Sequence, residues 1–301
     1  MANPIISDIQ QKIKSGNPIT RLILINVIVF LLIGLIRIIA FISGESSPFT
    51  VFEYHLVRNF SLPLDLHEFI YRPWTILFHM FTHIGLSHLF WNMMSLYWFG
   101  SILAEYTSAK KIIPLYLLGG LCGAIIVMLA GTYIPFFEFL KGNTAIGASA
   151  ATTAIIVAAA TLLPNYKIGL LFLGEVKLLY VAIFVIFLDV LNLASYDNVG
   201  GNIAHLGGAL MGYLFIVQYK KGRDMANPFN RFFDWTGNLF GGTRSRMKVV
   251  YKKSKLTDEE YNQNRVINQK QVDAILDKIS KSGYESLSKS EKDILFRASK
   301  K

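Results

Sequence analysis

Apolar positions along this chain gather into long blocks, with polar residues confined to the stretches between them. The blocks run over 21–43, 87–104, 111–133, 149–163, 177–194 and 203–219. A hydrocarbon core ~30 Å thick needs about 20 apolar residues per helix, so the pattern predicts six membrane spans, the fourth of them short. The first block is too long for a removable signal peptide and lacks a cleavage-site pattern. The connection 44–86 is long and carries Phe49, Phe52, Tyr54, Phe60, Phe69, Tyr71 and Trp74, rings that settle at a membrane interface. Beyond residue 220 the pattern changes to that of short amphipathic helices. Thr257 with Glu260 has capping-box spacing, Val272, Ile275, Leu276 and Ile279 share one helical face, and Gly283 suits a stop. Ser288 with Glu291 forms a second capping box ahead of DILF. The expected organisation is a polar lead (1–20), a membrane body (21–220) and a basic tail (221–301). The expected fold class is an all-α membrane protein, a six-helix bundle with a short cytoplasmic helical tail.

Composition agrees with that picture. Of 301 residues 52% are hydrophobic and only 17% charged, too few to cover the surface of a soluble domain. The net charge of +10 would suit a nucleic-acid binder if it were spread over the chain. It is not, since 19 of the 30 Lys and Arg follow Tyr219. Lys110, Lys111, Lys167 and Lys177 fall in inner connections, while Arg58, Arg72 and Lys141 fall in the alternate ones and Arg37 within the first span. This is the positive-inside asymmetry, with both termini cytoplasmic and loops 44–86, 134–148 and 195–202 facing outward. A basic tail beside an anionic leaflet accounts for the charge, so the lipid bilayer is an expected partner and nucleic acid is not. A bacterial inner membrane is the expected location. The single cysteine, Cys122, lies in an apolar run and reads as a small core residue; one cysteine permits neither an internal disulfide nor a thiolate metal cluster.

The short fourth span poses a chemical question, because it opens with NTAIGASAATTA, residues 143–154. From Ser149 to Leu163 a helix is about 22 Å long, less than the ~30 Å core. With its inner end fixed by Pro164 and Lys167, Ser149 lies roughly 8 Å below the outer boundary. The loop ahead of it must then dip into the membrane, which is tolerated only beside protein or a water-filled cavity. A serine at a helix N-terminus also stands beside unpaired N–H groups and the positive dipole end, which can stabilise an oxyanion. Gly147 supplies backbone freedom before it. The competing reading is that Ser149 caps a helix and the small residues pack helices together.

The histidines weigh on that choice. His205, Gly208 and Gly212 fall on one face of the sixth span, and a glycine face admits a close neighbour. The fourth span, with Ser149, Thr153, Ile156 and Ala160 on one stripe, suits it, and would bring hydroxyl and imidazole to similar depth. His88 and Asn92 are four apart at the start of the second span, both able to donate to a developing oxyanion without a fixed charge. Asn92 could equally be a link between helices. His79 and His83 are also four apart, but HMFTH lacks the glutamate of a zinc hydrolase motif, and no metal or other cofactor is expected. Asp189, near the outer end of the fifth span, could pair with His205 as a third member or be bonded to water or a helix end.

Taken in order, these residues resemble the rhomboid intramembrane serine proteases across roughly 20–220. The resemblance rests on the run Trp74 to His83, on His83, His88 and Asn92, on Gly100 with Glu105, on G-x-S-A at 147–150, and on A-H-x-x-G-x3-G at 204–212. It implies a rhomboid-like six-helix bundle and an endopeptidase that cleaves single-pass transmembrane substrates near their outer ends with a Ser–His dyad and no third acid. Carried onto this chain, Ser149 is the nucleophile and His205 the general base, with His88, Asn92 and the Ser149 amide forming the oxyanion hole. His83, Gly147, Gly208 and Gly212 are structural supports, and Glu105 ties the cytoplasmic end of the second span. Two positions depart from the family. Thr153 replaces an aromatic residue that stacks on the histidine, so something else must orient His205. A Trp–Arg pair in the first outer loop reads Trp74–Thr75, with Arg72 upstream. The alternatives to a protease are a catalytically inactive client-binding relative and a transporter; no paired broken helices in two halves support the latter. The tail's partner is not legible.

Overall fold

The computed structural model describes residues 16–42, 52–170, 174–195, 198–240 and 271–298. The chain divides into two compact units, Met1–Gly241 and Gly242–Lys301. In the first, helices stand at all six predicted blocks: α1 (Pro18–Ile42), α2 (Leu86–Tyr106), α3 (Ile112–Tyr133), α4 (Ser149–Leu162), α5 (Leu178–Leu193) and α6 (Val199–Lys220). The stretches Pro18–Ile42, Ala109–Tyr133 and Val199–Lys220 are each long and apolar enough to cross a membrane, while α4 and α5 are shorter apolar helices. Apolar runs become helices because only a helix satisfies every backbone N–H and C=O within the segment. Their ends follow local chemistry. Pro114 sits in the first turn of α3, where its missing N–H leaves no bond unmade, and Pro164 lies just past the last turn of α4. The sixth helix opens earlier than the expected residue 203, directly after Asn198, which holds a left-handed conformation.

α4 is the axis of the bundle. It packs against α2, α3, α5 and α6, and every residue from Ala150 to Ala160 is buried. Its small side chains allow this, because alanine lets neighbouring backbones approach. By contrast, α1 and α5 lie outside. Only Ile19, Leu22, Asn26 and Ile33 of α1 and Leu178, Ala182 and Asp189 of α5 are buried. The Asn26 amide donates to the Leu22 carbonyl (2.9 Å) and to the Tyr116 hydroxyl (3.2 Å), and that hydroxyl donates to the Met80 carbonyl (2.7 Å). Cys122 is half-buried on α3.

The connection ahead of α2 departs from a surface loop. After a helix at Phe52–Phe60, residues Ser61 to Asp65 are all buried, and β1 (Leu62–Pro63) pairs antiparallel with β2 (Thr144–Ala145). Leu64 wedges between helices: a Cβ on Gly200 would lie 2.4 Å from its side chain, and one on Gly131 2.2 Å from its carbonyl oxygen. Asp65 caps the turn Leu66–Phe69 by accepting from the Glu68 N–H (3.0 Å). Of the rings expected at an interface, Tyr71 and Trp74 are exposed, and the Trp74 indole donates to the Asn59 carbonyl (2.8 Å). Arg72, the displaced arginine, binds Glu68 and donates to the Arg58 carbonyl. Phe49 lies outside the described residues.

Three further features lie on the other side of the sequence reading. A hairpin of β3 (Lys167–Leu170) and β4 (Gly174–Lys177) joins α4 to α5, with Lys167 and Glu175 paired at 2.9 Å. Helix α7 (Asn227–Phe240) follows α6 within the first unit and exposes Phe232, Phe233 and Trp235. Glu105 does not tie the end of α2; it is exposed and has no hydrogen bond or ion pair among the described residues. Lys111 does the tying there, paired with Asp224 and lying 4.9 Å from the Tyr219 ring centre.

In the second unit, helix α8 (271–282) half-buries Val272 and Ile279 and buries Ile275, whereas Leu276 is exposed. Gly283 ends it with φ +77°, its N–H donating to the Ile279 carbonyl (2.8 Å). Helix α9 (Lys289–Ala298) starts with the expected reciprocal box: the Ser288 N–H donates to Glu291 (2.7 Å) and the Glu291 N–H to the Ser288 hydroxyl (3.4 Å). The box centred on Thr257 and Glu260 lies outside the described residues.

Candidate active site

Ser149 is the first residue of α4, and it does not cap the helix. The cap position belongs to Ala148, which has no side chain able to bond. The hydroxyl of Ser149 makes no hydrogen bond among the described residues, and its own N–H is among the first-turn donors with no partner inside the helix. The two residues before it are pinned by backbone bonds. The Gly147 N–H donates to the His79 carbonyl (2.8 Å) and the Ala148 N–H donates to His83 Nε2 (3.2 Å). Since Nε2 accepts, the proton of the neutral His83 ring sits on Nδ1. Gly147 needs to be glycine twice over: its φ is +113°, and a Cβ there would lie 2.5 Å from the His88 ring.

His83 and His79 therefore shape the serine loop. Both are buried, and His79 Nδ1 is 2.9 Å from the Thr75 carbonyl oxygen. Burial, with the neighbouring His88 second, pushes His83 down to about 4, and burial likewise takes His79 to about 4. Both rings thus stay neutral and act as hydrogen-bonding struts in the segment ahead of α2.

Asn92 is buried on α2 and fully engaged. Its Nδ2 donates to the His88 carbonyl (3.0 Å) and approaches His83 Nε2 (3.3 Å), while its Oδ1 accepts from the Thr152 hydroxyl (3.1 Å). Asn92 thus links α2 to α4, the second role that its sequence position allowed, and in this state its amide hydrogens are committed. His88 is different. It is exposed, it packs edge-on against His83 with ring centres 5.0 Å apart, and it lies within electrostatic reach of His205.

The seam between α4 and α6 brings together the helix segments that carry Ser149 and His205. A Cβ on Gly208 would lie 2.0 Å from the Ala150 carbonyl oxygen, and one on Gly212 2.1 Å from that of Ala154. The two helices run parallel in backbone contact along this line. Gly123 of α3 closes the corner: a Cβ there would meet the Ala204 carbonyl at 2.5 Å and the Ala150 Cβ at 2.8 Å. Ala204 and Ala150 are the immediate neighbours of His205 and Ser149, so those two residues sit on adjoining turns. Both are partly exposed. No hydrogen bond joins their side chains among the described residues.

His205 has a firm partner on its other side. Its Nδ1 lies 2.7 Å from Oδ1 of Asp189, which is 6% exposed on α5. A carboxylate can only accept, so Nδ1 donates and Nε2 is left with its lone pair available. Of the two readings open for Asp189, the structure selects the pairing, and it supplies what Thr153 does not. Thr153 itself is buried in α4.

A family model described as the Rhomboid domain matches residues 71–221, half of the chain. The chain belongs to the rhomboid family. Relatives among curated proteins include the Arabidopsis thaliana RHOMBOID-like protein 12, mitochondrial, which is 29% identical over 56% of this chain and 52% of its own length. RHOMBOID-like protein 2 of the same plant is 31% identical over 49% of this chain and 42% of its own. The Danio rerio Presenilin-associated rhomboid-like protein A, mitochondrial, is 28% identical over 45% and 35%. The chain thus spans about half or less of the length of the curated relatives it matches. Residues 256–301 match a second model, a family of unknown function (DUF6576). With its apolar helices and its rhomboid domain, this is a membrane protein. Two of these relatives carry mitochondrial names, which lends nothing to the expected bacterial inner membrane.

Some features of the rhomboid site were beyond sequence reasoning. The backbone carbonyl of His79 and the hydroxyl of Thr152 both hold the site together, yet neither role has a signature in residue type. For Thr152 the only available signal was its place one turn into α4, facing a helix that carries Asn92.

Proposed function

We propose that this rhomboid is an intramembrane serine endopeptidase that cleaves transmembrane segments of single-pass membrane proteins, with six spans and both termini on the cytoplasmic side. The observation that carries the reading is the glycine seam of α4 and α6, which holds a spare serine hydroxyl and an imidazole with an available Nε2 on adjoining turns. In the acylation step Nε2 of His205 takes the proton of the Ser149 hydroxyl as Oγ bonds to the substrate's carbonyl carbon. The resulting oxyanion is met by the Ser149 N–H at the head of α4 and by His88. Asn92 joins them only by releasing a bond it now makes. His205 then passes the proton to the leaving amine as the C–N bond breaks, and water hydrolyses the acyl ester by the same route. A helix must be locally unwound to reach the serine, so cleaved sites are expected to hold small or helix-breaking residues.

The test is labelling of purified protein by a fluorophosphonate together with cleavage of a single-pass substrate. Wild type takes the label and cuts, whereas Ser149→Ala and His205→Ala, still membrane-inserted, do neither. Full cleavage by Ser149→Ala would defeat the proposal. An inactive client-binding relative would hold a substrate helix yet leave wild type unlabelled.

A further inference from the structure

Among the described residues, Asp189 is the one acidic side chain buried within the apolar helices, and it faces His205. A carboxylate at that depth is costly unless paired, and its pairing is with the Nδ1–H of the imidazole at 2.7 Å. Its second oxygen, Oδ2, is buried and bonded to nothing among the described residues, so the group's interaction is concentrated on the histidine. From the geometry we infer that Asp189 is a positioning residue for His205, making the expected dyad a relay of three. This rests on the proposed serine chemistry.

Three consequences follow from the contact. It selects one tautomer, with the proton on Nδ1 and the lone pair of Nε2 directed away from α5. It fixes the ring, which no aromatic residue at position 153 can do here. It also places a negative charge beside the imidazolium that forms when His205 takes the serine proton. That proton stays on His205 and is not passed on to Asp189. No oxidant, metal or added reactant enters the step.

The experiment uses full-length protein in detergent or liposomes. Asp189→Asn is compared with wild type and Ser149→Ala by substrate turnover, by the rate of fluorophosphonate labelling and by thermal melting. An asparagine can present its N–H to Nδ1 and so favour the wrong tautomer. The expected result is a kcat lower by about 100-fold with KM little changed, and slow labelling of a folded protein. Labelling and turnover at the wild-type rate would overturn the inference and leave Asp189 as a packing element. Should the variant unfold, 15N NMR of wild-type histidines, with His205 assigned against His205→Gln, gives an independent answer. A proton on Nδ1 supports the role, and a proton on Nε2 alone overturns it. Wild type that takes no label would defeat the protease reading, and the tautomer would still decide whether Asp189 holds the ring.

Discussion

Single residues set the serine loop in ways that reach across the chain. His83 contributes one acceptor, yet that acceptor holds Ala148. His83→Ala is expected to leave a buried N–H unbonded and to open a cavity, together about 2–4 kcal/mol. Thermal melting of the purified variant measures the loss, and labelling of Ser149 should slow in parallel. His83→Gln, which can present an oxygen acceptor, should recover part of both. Spacing made several of these residues legible, because neighbours four apart on a helix share a face whatever the tertiary fold. His88 and Asn92 were found that way, as were His205, Gly208 and Gly212. What spacing could not supply was the use of each group. Asn92 proved to be a link with its amide committed, and Asp189 a partner of His205, since both outcomes depend on the rotation of one helix against another. Glu105 fell short for the same reason: its sequence position is right, but its side chain ends in the open.

At the level of elements, the seam of α4 and α6 is the most demanding contact. Gly208→Ala puts a methyl group against the backbone oxygen of Ala150, and the helices must separate to admit it. The expected cost is about 3 kcal/mol or more, with cleavage lost before folding is. Gly34→Ala on α1 is the control, because a Cβ there meets nothing within 4 Å. It should stay within about 1 kcal/mol of wild type by thermal melting. The six blocks were readable because an apolar run of helical length has few other fates. The buried stretch 61–65 was not, since a loop that packs inward has the same composition as one lying at an interface. Both small ladders and α7 escaped notice too: strands of two and four residues are too short to carry a clear alternation, and the aromatic residues of α7 were absorbed into a tail judged by its charge.

For the whole molecule, two buried histidines make stability depend on acidity. His79 and His83 both stay neutral down to about 4 when folded, against 6.5 for a free imidazole. As the pH falls from about 6.5 towards 4, the unfolded chain takes up protons that the folded one refuses. Stability is therefore lost across that window, by up to about 3 kcal/mol for each ring, and is flat above it. Melting temperatures between pH 7.5 and 4.5 test this, and His79→Gln should halve the slope. The second unit is expected to be dispensable for chemistry: deletion of 256–301 should leave turnover of a good substrate near the wild-type rate. One last consequence concerns lipid. α4 is 14 residues long, about 21 Å, and protein surrounds it on every side from Ala150 to Ala160. In a bilayer, acyl chains are expected to meet the exposed faces of α1 and α5, and the buried length of α4 is expected to be screened from them. A change of bilayer thickness is therefore expected to reach Ser149 only second-hand, through the helices around α4.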